Sequence, residues 1–180
     1  ADYASQVEAL DDETVEQELR RARAYNRDLT DVVALTDPFV SEGTVDTTEY
    51  NSLLQATDDG VMGYIEIPKI HVLLPIYHGT STEVLAKGVG HLPETSLPVG
   101  GESTHAVLAG HSGMSSARLF TDLPKLAEGD VFYIHVYDRT LTYTVDQIKT
   151  VTPTDTKDLT IVSEQDYVTL VTCVPVTVNS

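Results

Sequence analysis

Apolar positions follow two different rhythms along this chain. Between Asp11 and Leu29, Val15, Leu19, Ala22 and Leu29 fall near one side of a 3.6-residue period; acidic residues occupy the first turns, and Arg20, Arg21, Arg23 and Arg27 come later. That order complements the helix dipole, so the pattern predicts an amphipathic helix over residues 11–29. Residues 30–60 then lose periodicity, with Asp37-Pro38, Ser41 to Gly43 and Asp58-Asp59-Gly60 as breakers and only Glu49 to Gln55 compatible with a short helix. A stretch of this length inside a domain is usually a lid, a binding loop or disordered. Within it, Phe39 is an aromatic placed directly after Asp37-Pro38.

From Val61 the rhythm shortens to strand-like runs rich in Val, Ile, Thr and Tyr: Gly63 to Ile67, His71 to Tyr77, His105 to Ala109, Val131 to Val136, Leu141 to Ile148 and Tyr167 to Cys173. The pair around Tyr137-Asp138-Arg139-Thr140 reads as a hairpin. Short helices are expected at Thr82 to Lys87 and at Ala117 to Leu126, the second closed by Gly129. The sum is a mainly β barrel or sandwich with short helices, and no repeat of 20 to 50 residues is present.

Composition narrows the function. The chain has 180 residues with 41% hydrophobic and 22% charged positions, which suits a folded domain rather than a disordered one. Its 28 Asp and Glu against 11 Lys and Arg leave a net charge of −17, which argues against nucleic acid as a partner. A single cysteine, Cys173, excludes an internal disulfide and a cysteine-based zinc site. No apolar run is long enough to span a bilayer and no export leader opens the chain, so it reads as a soluble piece.

Cys173 ends the apolar run Val168 to Cys173, and a thiol at a strand end can face a groove. Nucleophilic chemistry needs the thiolate, which an unperturbed cysteine with a pKa near 8.5 scarcely populates at neutral pH, so a basic or cationic neighbour is required. Among the six histidines, His105 and His135 lie within strand runs, and His71 and His78 flank one without metal-ligand spacing. His111 stands apart in Gly110-His111-Ser112-Gly113, directly after a strand, where flanking glycines permit unusual backbone angles and close approach of a substrate. His91, in Gly88-Val89-Gly90-His91, is its rival. Leu92-Pro93-Glu94-Thr95 looks like a surface-protein sorting signal but lacks the apolar segment and basic tail that accompany one.

Together these residues resemble a class C sortase, the pilus-assembling kind of transpeptidase. Thr169-Leu170-Val171-Thr172-Cys173 matches the TLxTC signature. Gly110-His111 with Ser116 to Phe120 matches the histidine segment, and Gly88 to His91 leads into Thr95 to Gly101 as in pilus sortases. Gly63 to Pro68 resembles the opening barrel strand, and Asp37-Pro38-Phe39 resembles the lid motif of the class. The resemblance implies a sortase-type closed β-barrel over residues 61–180, preceded by a helical segment over 1–30 and a lid loop over 31–60. It further implies Cys173 as nucleophile, His111 as general acid, Thr172 and Leu170 against substrate, and no metal or cofactor. Pilin subunits with LPxTG-like sorting signals and acceptor lysines would be the partners. The enzyme would be held at the outer face of a Gram-positive membrane by segments absent from this chain.

The family's catalytic arginine stands about nine residues after the cysteine, whereas Val174 to Ser180 number seven, so it is expected just beyond Ser180 together with the final barrel strand. Two other readings stay open at this point: a housekeeping sortase that anchors proteins to peptidoglycan, and a non-catalytic surface or adhesin domain on the same barrel.

Overall fold

The computed structural model describes residues 3–29, 48–57, 59–112, 120–152 and 154–172. A first helix, α1 (Tyr3–Glu8), precedes the expected amphipathic one, α2 (Asp12–Asp28). Asp11 caps α2 by accepting a 2.7 Å hydrogen bond from the Thr14 amide, which supplies a partner to one of the orphan donors of the first turn. A third helix, α3 (Thr48–Ser52), is shorter than the expected 49–55 and gives way to a turn in which Leu54 adopts φ 56°.

The remainder winds into one seven-stranded sheet: β1 (Val61–Ile67), β2 (Val72–His78), β3 (Val89–His91), β4 (Thr104–Ala109), β5 (Val131–Val136), β6 (Arg139–Thr144) and β7 (Asp166–Val171), in the order β6-β5-β1-β2-β3-β4-β7. β2–β3 and β4–β7 are parallel and the other neighbours antiparallel. Helix α4 (Thr82–Lys87) makes the crossover between β2 and β3. The sheet curls into a nearly closed barrel. Its two outer strands approach each other, and the Tyr143 hydroxyl of β6 donates to Asp166 of β7 at 2.8 Å.

Several boundaries differ from the sequence pattern for identifiable reasons. β3 has three residues, too few to display an alternation, so the sequence pattern predicts no strand there. β6 stops at Thr144 rather than Ile148. The ladder with β5 ends at the Val131–Thr144 pair, and Gly129 (φ +96°) turns the partner strand away after a last bond from its amide to Val145. Of the helix expected over 117–126, the described part is a 3₁₀ turn, Leu123–Lys125, where Pro124 lacks the amide that an α-helix would use.

One apolar core unites helices and sheet. Val15, Leu19 and Ala22 of α2 pack with Met62, Ile65 and Ile67 of β1, Ile76 of β2, Leu108 of β4 and Ile134 of β5. Each fully buried Leu, Ile or Val contributes about 1.5–3 kcal/mol. Asn26 lies on the same stripe of α2, 2% exposed, and grips the loop ahead of β4. Its Oδ1 accepts from the Leu97 amide at 2.7 Å and its Nδ2 donates to the Leu97 carbonyl at 3.1 Å.

Candidate active site

The site is built on the parallel pair β4–β7. Thr104 pairs with Asp166 and each later residue follows in step to Ala109 with Val171, so partners are 62 residues apart throughout. His111 and Cys173 are separated by the same 62 positions in the sequence. Pairing continues one residue past the strand, because the Gly110 amide donates to the Val171 carbonyl at 3.0 Å. His111 follows, half-buried, and its carbonyl accepts from the Phe120 amide at 3.0 Å. The histidine is therefore tied on one side to the strand that leads toward the cysteine and on the other to a fully buried phenylalanine.

Gly110 is required by close approach. A Cβ there would meet the Phe120 ring at 2.6 Å, and its φ is not positive. Unusual backbone angles and room for substrate are what a flanking glycine suggests in the sequence; at Gly110 the room is filled by Phe120.

Alternation divides the residues of the pair. Leu108 belongs to the core, and Val168 and Leu170 pack against it, so the even-numbered side faces inward. Leu170, expected against substrate, thus stands half-buried on the core side. The hydroxyl of Thr172 is buried and, among the described residues, has no hydrogen-bond partner. Cys173, together with Asp37, Pro38 and Phe39, lies outside the described residues.

The rival histidine, His91, has a different role. It is 0% exposed on β3; its Nε2 donates to the Ser96 carbonyl at 2.6 Å, and its Nδ1 accepts from the Tyr50 hydroxyl at 2.6 Å. Burial above all else lowers its pKa to about 3, so the ring is neutral at physiological pH. Tyr50 also accepts from the Gly79 amide at 3.2 Å, which anchors α3 to the barrel. Thr95, the last residue of the segment that looks like a sorting signal, is buried and donates to Leu92 at 2.8 Å while accepting from the Val107 amide at 3.1 Å. That segment is a core turn.

The remaining histidines are similarly engaged. His78 donates to the Leu53 carbonyl at 2.6 Å, and burial pulls its pKa down. His135 stacks on Tyr64 with ring centres 4.4 Å apart and meets Glu66 at 3.0 Å. His71 is exposed in a left-handed turn (φ 56°), and His105 is buried in β4. Sequence reasoning did not find the Tyr50–His91 pair or the Asn26 staple. The latter had a signal, since Asn26 continues the four-and-three spacing of Val15, Leu19 and Ala22.

A family model, the sortase domain, matches residues 65–180. The chain belongs to the sortase family. Sortase D of Bacillus subtilis is 34% identical over 113 residues, 63% of this chain and 54% of that protein, so this chain spans about half the length of that sortase. Among solved structures, sortase C-1 of Actinomyces oris is 46% identical with a TM-score of 0.85, covering 92% of this chain and 93% of that one. Sortase C of Streptococcus pneumoniae is 42% identical with a TM-score of 0.88, covering 99% and 88%. The sortase therefore groups with class C, and its domain is of the cysteine-transpeptidase type. The non-catalytic reading has no support in these likenesses.

Proposed function

We propose that this sortase polymerises pilins by acyl transfer through Cys173. The Cys173 thiolate attacks the carbonyl carbon of the threonine in an LPxTG-like signal, and the scissile C–N bond breaks as His111 gives its proton to the leaving amine. The resulting thioester is attacked by a lysine ε-amine of the next pilin. The C–S bond breaks, an isopeptide bond forms, and the released proton and thiolate restore the resting pair. No ATP is consumed because the thioester retains the free energy of the cleaved amide. The arginine expected beyond Ser180 would stabilise the oxyanion; losing such a donor costs about 10²–10³-fold in rate.

The observation that carries this reading is the β4–β7 register, whose 62-residue offset equals the separation of His111 from Cys173. Continued for two steps, it would set the two side by side, with Gly110 and Phe120 holding the histidine backbone. Thr172, directly before Cys173 in the TLxTC run, would stand against the donor peptide, as the resemblance implies. Sortase C of Streptococcus pneumoniae has pilin substrates, which supports pilins here. Asp37-Pro38-Phe39 would act as a lid over the thiol. The enzyme would work at the outer face of a Gram-positive membrane, anchored by segments outside this chain; among the described residues no helix is long and apolar enough to cross a membrane.

Intact-mass spectrometry tests the reading, on a chain extended through the expected arginine and incubated with an LPxTG-type peptide. An adduct of the acyl fragment's mass is expected, more abundant in Phe39→Ala and absent in Cys173→Ala. No adduct from folded Phe39→Ala protein whose thiol still alkylates would overturn it. Equal adduct with and without Phe39 would overturn the lid alone.

A further inference from the structure

Beside α1, the outer face of the barrel carries a cleft of about 410 Å³ that the proposed chemistry does not use. Tyr3 of α1 walls one side; Tyr64 of β1 and Leu73, Pro75 and Tyr77 of β2 line the rest, with Asp59 at the approach to β1. Tyr64 pairs with Pro75, so the two share the face of the sheet opposite to the core residue Ile65. Leu73 is 64% exposed and leaves apolar surface open at the cleft. The volume is that of a ligand site.

Its polar groups divide into those already engaged and those still open. The Tyr3 hydroxyl donates to the Met62 carbonyl at 3.1 Å and accepts from the Tyr137 amide at 2.7 Å. The hydroxyls of Tyr64 and Tyr77 have no hydrogen-bond partner among the described residues. Burial first, and then the charge of Asp59, raise the pKa of the Tyr77 phenol, so it keeps a proton to donate. Asp59 itself is exposed, and the Thr57 hydroxyl that donates to it holds its carboxyl below the ordinary range, so it is ionised at neutral pH. No Lys or Arg among the described residues pairs with it. The ring faces are more occupied than the hydroxyls. Tyr64 stacks on His135 with centres 4.4 Å apart and meets Tyr3 edge to face at 5.8 Å, while the Lys87 ammonium lies 4.3 Å from the centre of the Tyr77 ring.

The open side-chain groups are thus two donors and one carboxylate beside apolar surface. A complementary ligand brings acceptors, few donors and a cation. Proline-rich peptide has that character: every proline carbonyl accepts, no proline nitrogen donates, and the preformed polyproline II helix loses little entropy on docking against aromatic residues. An added β-strand brings as many amides as carbonyls, and Pro75 has no amide to share with it. A sugar brings hydroxyl donors and seeks open ring faces.

We propose that this cleft is a docking site for a proline-rich, lysine- or arginine-bearing segment of a partner protein: Tyr64 and Tyr77 donate to its carbonyls, its prolines pack on Leu73 and Pro75, and its cation meets Asp59. Cross-strand pairs run from Tyr77 to Gly90, Ala109 and Val171. The cleft therefore lies level with the strand ends that lead to His111 and Cys173, three strand spacings or about 14 Å away along the sheet. Docking itself does not depend on the acyl-transfer chemistry.

The test measures Kd for the chain by fluorescence anisotropy, with fluorescein-labelled Pro-Pro-Pro-Lys-Pro-Pro as the probe. Saturable binding is expected, weakened about 3- to 10-fold in each of Tyr64→Phe, Tyr77→Phe and Asp59→Asn, as loss of one hydrogen bond or one ion pair implies. Replacing the probe's lysine by glutamate should weaken binding to the parent and make no difference to Asp59→Asn. Replacing its prolines by alanine should weaken binding to the parent and to every variant. Asp158→Asn, which removes a charge from the β6–β7 connection, should leave Kd unchanged. Melting temperatures establish that each variant is folded. No saturation by about 2 mM probe would overturn the proposal, and so would an unchanged Kd in all three cleft variants. Equal weakening by Asp59→Asn and Asp158→Asn would overturn it as well, because it marks a general pull of the −17 net charge. Binding of chitotetraose in place of the peptide would assign the cleft to a glycan instead.

Discussion

The imidazole of His91 has Tyr50 on one nitrogen and Ser96 on the other, and no water-facing surface. Its pKa in the unfolded chain is near 6.5, against about 3 in the fold. Between those values the unfolded chain takes up a proton that the folded chain refuses, so stability is lost as pH falls from 6.5 toward 3. One such group contributes a slope of up to about 1.4 kcal/mol per pH unit. His78 and His105, whose pKa values burial also lowers, add slope of the same sign. Urea unfolding at pH 7.5 and pH 5 should therefore show a larger loss in the parent than in His91→Gln, which removes the titrating group; equal losses would mean that His91 is solvated in the fold. Neighbouring glycines made His91 and His111 look alike in the sequence. What separates them is Tyr50, 41 positions away, and Phe120, and only folding brings either into place.

At the scale of elements, α2 is joined to the barrel by an apolar stripe and by Asn26. Asn26→Ala leaves the Leu97 amide without its acceptor in a site that is 1% exposed, while the Leu97 carbonyl keeps the Val99 amide at 2.8 Å. The expected cost is about 1–3 kcal/mol in denaturant unfolding, with the thioester-forming rate per folded molecule unchanged. A loss below about 0.5 kcal/mol would mean that the amide finds another acceptor. Helix α2, α4, β5 and the β5–β6 hairpin were legible because each carries its own period or caps within one contiguous run. β3 was hidden by its length. The extent of β6 was not legible either, because what ends its pairing just after Val145 is the turn at Gly129 on the facing strand.

The molecule as a whole carries a net charge of −17 around one shared core. Like charges repel more in the compact state than in the expanded chain. Raising the salt concentration from about 0.01 to about 0.15 M shortens the screening length from about 30 to about 8 Å. The melting temperature should then rise by about 2–4 °C, equivalent to about 1 kcal/mol. A fall would mean instead that exposed ion pairs such as Lys69–Asp130 and Arg139–Glu16 outweigh the repulsion.

By itself the sequence determined the class of fold and the family, and it named the pair that is proposed to react. Strand periodicity, the Thr169–Cys173 signature and the 62-residue spacing are all written along the chain. That spacing has a structural meaning, since it is the register of β4 against β7. The tertiary structure alone decided which histidine is buried and neutral, why Gly110 admits no side chain, and how His105 joins Thr160 to Thr169. Those outcomes depend on residues as far as 64 positions apart meeting in space, as Phe120 meets Gly110 and as Thr169 meets His105. Local pattern reports a residue's propensity and its face. Desolvation and hydrogen-bond partnership depend on what lies across the sheet.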